Sequence, residues 1–151
     1  DYVATVIKTY REAIDSYYEG TFTKEKINTW MEALATVYNR GFWSGYYLGQ
    51  KLGEWSDNPG SNATQKKVYV GKGMHYFPKS SIAEFKIEAY DIKKGDKILI
   101  TGPSTGAQEL ILEDFFVNDA TSEKATKGDS CTLKVPFRIR LSDKMYKIVE
   151  N

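Results

Sequence analysis

Seven side chains within fourteen positions form the one cluster in this 151-residue chain suited to contact chemistry: Lys66, Lys67, Tyr69, Lys72, His75, Tyr76 and Lys79. Lysine ammonium groups meet phosphates as point charges, and tyrosine rings offer faces on which nucleobases stack, so the spacing points to an RNA contact. The same residues also describe a solvated strand edge that lysines protect from aggregation, and both readings stand. Arg40 divides in the same way, between capping the end of a helix and touching a substrate.

Catalytic chemistry finds less support. Cys131 is the single cysteine and His75 the single histidine. Cys131 sits on the apolar side of an alternating run with Leu133 and Val135, so a buried small hydrophobe is expected there and not a nucleophile. The surroundings of His75 have no metal-ligand spacing, and one cysteine allows neither an internal disulfide nor a cysteine-rich metal cluster. Gly102 to Gly106 lacks the Gly-Lys-Ser/Thr ending of a phosphate loop and is expected to be a hairpin turn. The acids Glu109, Glu113 and Asp114 read as solvated charges, because acid–base catalysis needs a cleft that nothing nearby indicates. No catalytic residue, metal site or cofactor is therefore expected in this chain.

The elements that must hold the cluster follow from periodicity. Val3, Val6, Ile7, Tyr10, Ile14, Tyr17 and Tyr18 recur at three- and four-residue steps, which predicts an amphipathic helix over 2–18 ended by Gly20. Thr23 is the expected N-cap of a second helix with an apolar stripe of Ile27, Trp30, Met31, Leu34 and Val37. Two such helices cannot bury both faces on each other, so their apolar stripes are expected to lie against a further part of a longer protein. Residues 53–65 are rich in Gly, Ser, Asn and Pro and read as a linker or mobile loop. After it the period becomes two, with turns at Pro78–Ser81 and Gly102–Gly106 and two Lys-Gly-Asp turns, Lys94–Asp96 and Lys127–Asp129, each directly before a strand. Short strands and regular turns predict a small antiparallel β-barrel over 66–151. The fold class is thus α+β: a helical segment with its connector over 1–52, a loop over 53–65, and the barrel.

Between helices and loop lies an unusual connector. Gly41, Gly45 and Gly49 recur every four residues among Phe42, Trp43, Tyr46 and Tyr47. A helix would not carry glycine on every turn at about 1 kcal/mol each, so a half-buried irregular junction is expected, its glycines taking positive φ and its aromatics supplying burial.

Charge is nearly balanced, at net +1. Residues 1–63 carry 6 basic and 8 acidic side chains, leaving 15 and 12 for the remainder, a mild excess that permits a basic patch without making a strongly basic nucleic-acid module. No run of about eighteen apolar residues and no signal-peptide pattern occur, so no membrane span and a cytoplasmic location are expected.

The helix Tyr2-Val3-Ala4-Thr5-Val6-Ile7-Lys8-Thr9-Tyr10-Arg11-Glu12-Ala13-Ile14-Asp15, followed by Asn39-Arg40-Gly41-Phe42 and Gly45-Tyr46-Tyr47-Leu48-Gly49, resembles the C-terminal region of peptidase family U32, the collagenase-like proteases. The resemblance implies a barrel similar to the second domain of elongation factor Tu, with Gly95-Asp96 and Gly128-Asp129 matching its Gly-Asp turns. It further implies a parent enzyme that either hydroxylates a tRNA pyrimidine, with prephenate and an iron–sulfur cluster as possible requirements, or acts as a peptidase. The chain itself would then be a non-catalytic fragment. Its expected partners are its own N-terminal catalytic domain and weakly held RNA, with an unfolded protein substrate or a docking and dimerisation role as alternatives.

Overall fold

Val3, Ile7, Tyr10, Ile14 and Tyr17 line one face of the first helix, α1 (Tyr2–Tyr18), and in the computed structural model that face is exposed. The structure describes residues 2–42, 45, 49, 60–118 and 120–151. They divide into two compact units, 1–66 with 150–151, and 67–149.

In the first unit, α1 turns its small polar side inward: Thr9 and Ser16 are its buried residues. The helix ends at Gly20, whose φ of 68° lets the amide of Thr21 reach back to the Ser16 carbonyl at 2.9 Å. Helix α2 (Lys24–Ala35) begins where expected, with the Thr23 hydroxyl accepting from the Lys26 amide at 3.3 Å. The Lys26 ammonium donates to Thr21 Oγ1 and Ser16 Oγ, at 2.8 and 3.2 Å, and ties the two helices through polar atoms. The second stripe does not run to Val37 as expected, because α2 stops at Ala35 and Thr36 closes the last turn on Ala33.

The connector glycines take the conformation expected of them, with φ of 93° at Gly41, 65° at Gly45 and 73° at Gly49. Burial by the aromatics is corrected at Phe42, which is 50% exposed. Trp43, Tyr46 and Tyr47 lie outside the described residues, as do positions 50–59 of the connector end and loop. The end of that loop is held: Asn62 donates to the Asn39 carbonyl at 2.7 Å and Thr64 to that of Ala35 at 3.0 Å.

The second unit is built on strands. These are β1 (Gln65–Phe77), β2 (Ile82–Ile87), β3 (Ile92–Lys93), β4 (Lys97–Gly102), β5 (Gly106–Ile111), β6 (Phe115–Val117), β7 (Ala120–Ser122), β8 (Lys124–Ala125), β9 (Ser130–Lys134) and β10 (Lys144–Glu150). Eight of them form one sheet in the order β5-β4-β10-β1-β2-β9-β6-β7, and β3 pairs with β8. Gly102 to Gly106 is the hairpin turn between β4 and β5. The expected closed barrel is corrected: β5 and β7 stand at opposite ends of the strand order and do not pair, so the sheet is open and the elongation-factor likeness is not carried by this topology. The sheet still curls around one core. Ile98 and Ile100 near one end of the strand order share one buried core with Phe115 near the other, together with Val70, Phe85, Ile87, Leu133 and Met145.

Three turns use one device. Asp96 accepts from the Lys93 amide at 2.8 Å, Asp129 from Thr126 at 2.7 Å and Asp143 from Arg140 at 2.8 Å, each just before a strand. The residue before each aspartate has positive φ: Gly95, Gly128 and, in the third, Ser142 at 69°. The third turn escapes a sequence search because a serine stands where the other two have glycine.

Candidate nucleic-acid interface

The sheet sorts the lysine–tyrosine cluster by face. The β1–β2 register slips between Gly73 and His75, placing an extra residue, Met74, in β1. Beyond that bulge His75 pairs with Glu84 and Phe77 with Ile82, on the outer face, whereas Tyr76 follows Ala83 to the core. The Tyr76 ring is therefore half-buried against the core and is not offered as a stacking face. His75 is exposed and packs edge-on against Phe77, with ring centroids 4.5 Å apart. Lys79 is exposed in the turn that follows. Lys66 and Arg40 belong to the first unit, where Arg40 Nε donates to Tyr38 Oη at 3.1 Å.

What the fold does bring together is centred on Tyr69. Its neighbour across the sheet is Tyr146 of β10, with ring centroids 5.7 Å apart in an edge-to-face arrangement. The Lys67 ammonium lies 5.2 Å from the centre of the Tyr146 ring, within cation–π range. On the other flank, Tyr69 Oη donates to Glu88 at 2.6 Å, and Lys72 pairs with the same carboxylate at 2.9 Å. The hydrogen bond to Glu88, then burial, pushes the Tyr69 phenol up to about 12. The same hydroxyl, followed by Lys72, holds the Glu88 carboxyl below the usual range.

The result is a pair of half-buried tyrosine rings flanked by two lysines and tempered by one carboxylate. Glu88 and Tyr146 are absent from the sequence-derived cluster. They lie 19 and 77 positions from Tyr69, and only strand pairing brings them there. A platform of this kind can stack a base or sugar face and hold a phosphate on either side, while Glu88 limits how much negative charge it attracts.

The remaining candidates resolve simply. Cys131 is fully buried, and burial pushes its thiol up to about 12, so it is no thiolate nucleophile near neutral pH. Glu109 pairs with Lys97 at 2.7 Å and Asp114 with Lys94 at 2.6 Å, both at the surface. Among the described residues no three His, Cys, Asp or Glu side chains converge as a metal site, so this donor set does not fit an iron–sulfur cluster. No described helix is long and apolar enough to cross a membrane. A second surface feature lies on the outer face, a shallow groove of about 580 Å³ lined by Phe77, Ile82, Glu84, Asn118, Ser130 and Thr132.

Comparison with known proteins finds a family for the first part of the chain and relatives for nearly all of it. The model of peptidase family U32 matches residues 1–57. A Porphyromonas gingivalis protein named collagenase is 50% identical over 147 residues, which are 97% of this chain and 36% of that protein. An uncharacterized protease of Methanocaldococcus jannaschii is 33% identical over 153 residues, 99% of this chain and 37% of its own length. The chain thus spans little more than a third of these relatives. Among solved structures, the C-terminal domain of a putative U32 peptidase from Geobacillus thermoleovorans aligns with a TM-score of 0.49 at 20% identity, covering 52% of this chain and 90% of that domain.

Proposed function

Because the chain belongs to peptidase family U32, we propose that it is a non-catalytic C-terminal portion of a longer enzyme, and that its sheet helps present RNA, tRNA in particular, to an active site elsewhere in that enzyme. The observation that supports this most directly is the Tyr69–Tyr146 pair with Lys67 and Lys72 at its flanks. Rings stack on bases without regard to sequence, lysines add salt-dependent attraction, and the specificity and chemistry remain with the rest of the enzyme. Prephenate and an iron–sulfur cluster, if the parent uses them, belong to that other part.

The test is fluorescence anisotropy with labelled tRNA at two salt concentrations. Weak binding is expected, with a Kd of about 1–100 μM and a clear loss at higher salt. Tyr146→Ala and Lys67→Ala should each weaken it, whereas Lys79→Ala should change it less. No binding at low salt, or binding indifferent to Tyr146, sinks the reading.

A second reading has its own support. The outer groove combines Phe77 and Ile82 with hydroxyls and the Glu84 carboxylate, a lining better matched to polypeptide than to phosphate, and Porphyromonas relatives carry the name collagenase. Binding of gelatin that is lost in Phe77→Ser, with tRNA binding absent, would establish a substrate-holding role for a protease instead.

A further inference from the structure

Val3, Ile7, Tyr10, Ile14 and Tyr17 follow one another at steps of four, three, four and three residues. That is the spacing of a coiled-coil seam, in which a straight stripe of knobs fits the holes of a second helix. All five are exposed, from 48% at Ile14 to 71% at Tyr17. Helix α2 does not take this face, since α1 turns Thr9 and Ser16 inward. The charged positions alongside are already paired within the helix: Arg11 with Asp15 at 2.5 Å and Lys8 with Glu12 at 3.9 Å. The seam therefore calls for an apolar helical partner and for no particular charge.

We propose that this face of α1 packs against a helix from the remainder of the same, longer polypeptide. Two observations select that occupant. The relatives continue well beyond the part this chain matches, since it covers only 36–41% of the Porphyromonas proteins. The family model takes in both helices and stops before the sheet, so α1 belongs to the family's own unit and not to the sheet. A second copy is the weaker occupant. At 1.5 Å per residue a 17-residue helix offers about 25 Å of seam. So short a contact must overcome the full loss of translational and rotational freedom when it joins two molecules, and none of that loss when it closes within one. This inference does not depend on the RNA reading, because it uses neither the sheet nor its tyrosines.

Hydroxyl-radical footprinting of the unmodified longer protein, read residue by residue by mass spectrometry, tests it. Tyr10 and Tyr90 are equally open in this chain, at 61% and 58% exposure, and so serve as probe and reference. In the longer protein Tyr10 and Tyr17 should oxidise several-fold more slowly than Tyr90, equally at high and low protein concentration, with the protein monomeric by sedimentation. In the 151-residue chain the three rates should converge. Oxidation of Tyr10 and Tyr17 at the Tyr90 rate in the longer protein overturns the proposal. Protection that disappears on dilution as a dimer dissociates assigns the seam to a second copy and overturns it as well. The variant pair Ile7→Glu with Ile14→Glu should restore Tyr10 oxidation, and Ile7→Leu with Ile14→Leu should not.

Discussion

The two units solve the burial problem in opposite ways. In the sheet unit, alternating strands send Val70, Phe85, Ile87, Ile98, Ile100, Phe115 and Met145 into one core with almost no exposure, and polar residues face out. In the helical unit the buried helix residues are Thr9 and Ser16, while Tyr2, Val3, Ile7, Tyr10 and Ile14 face outward. Strong apolar periodicity is present in both, so periodicity alone does not tell which side a core lies on. The sheet carries its core within itself. The helices leave their apolar stripe open.

The sharpest way to break this comparison is to remove apolar side chains from each unit in turn. Phe85→Ala, in the sheet core, should cost about 3–5 kcal/mol. Ile14→Ala, on the open seam, should change the stability of this chain by no more than about 0.5 kcal/mol. Urea midpoints of the two variants measure both, and equal losses would show that the helical stripe is already covered.

A step smaller are changes of backbone fit. A Cβ at Gly71 would collide with the Lys86 carbonyl oxygen on the next strand, so Gly71→Ala should cost about 1–3 kcal/mol through displaced backbone. At Gly20, which has φ +68° and open space around it, Gly20→Ala should lose only about 1 kcal/mol. If the two losses are equal, strand packing at Gly71 is looser than the sheet unit implies.

Function sharpens the contrast if it resides in the sheet. Tyr146→Ala should weaken tRNA binding by about 1–3 kcal/mol with little loss of fold, whereas Tyr76→Ala, which touches the core, should lower the urea midpoint and leave the affinity of the folded fraction unchanged. Glu88→Gln should strengthen binding, since it removes the one carboxylate between Tyr69 and Lys72. The reverse order for Tyr146 and Tyr76 would move the contact to the other face.

Among the turns, Ser142→Gly should stabilise the chain by about 1 kcal/mol, because serine is held at φ 69° where its neighbours in kind use glycine. A fall in the thermal midpoint would mean that the Ser142 side chain contributes something the turn geometry does not reveal. The smallest expected effect is with pH. The Tyr69 phenol, pushed up to about 12 by Glu88, favours the folded state fully below its ordinary value near 10. That contribution is lost as pH rises from 10 through 12. A tyrosinate absorbance titration should show one late phase that Tyr69→Phe removes, together with a slightly flatter decline of stability over the same window.

Much of the local structure was legible because its causes are local. Gly20 and Thr23 mark the end of one helix and the start of the next, and both act through atoms within five residues. The Lys-Gly-Asp turns are visible for the same reason, and the third was missed only because Ser142 does in strain what glycine does freely. Less of the site was legible. Lys67, Tyr69 and Lys72 are legible as neighbours, since they lie within six positions of one strand. Tyr146 and Glu88 are not, because their meeting with Tyr69 depends on which strands pair and on a bend after β2. Tyr76 shares the residue types of the outward cluster, and the bulge at Met74 that turns it toward the core has no signature in residue type.

The sequence by itself determined that two helices precede a run of short strands, the ends of those helices at Gly20 and Thr23, the two Lys-Gly-Asp turns, the apolar fate of Cys131 and the cationic, aromatic character of β1. Each of these is set by side-chain type and by interactions a few residues long. Tertiary structure decided the rest: that the sheet stays open, since β5 and β7 do not pair; that Tyr69 finds Tyr146 and Glu88; and that the seam of α1 faces outward. Those outcomes depend on partners far along the chain, and a stripe or a strand edge records what it needs buried or paired but not which surface will do it.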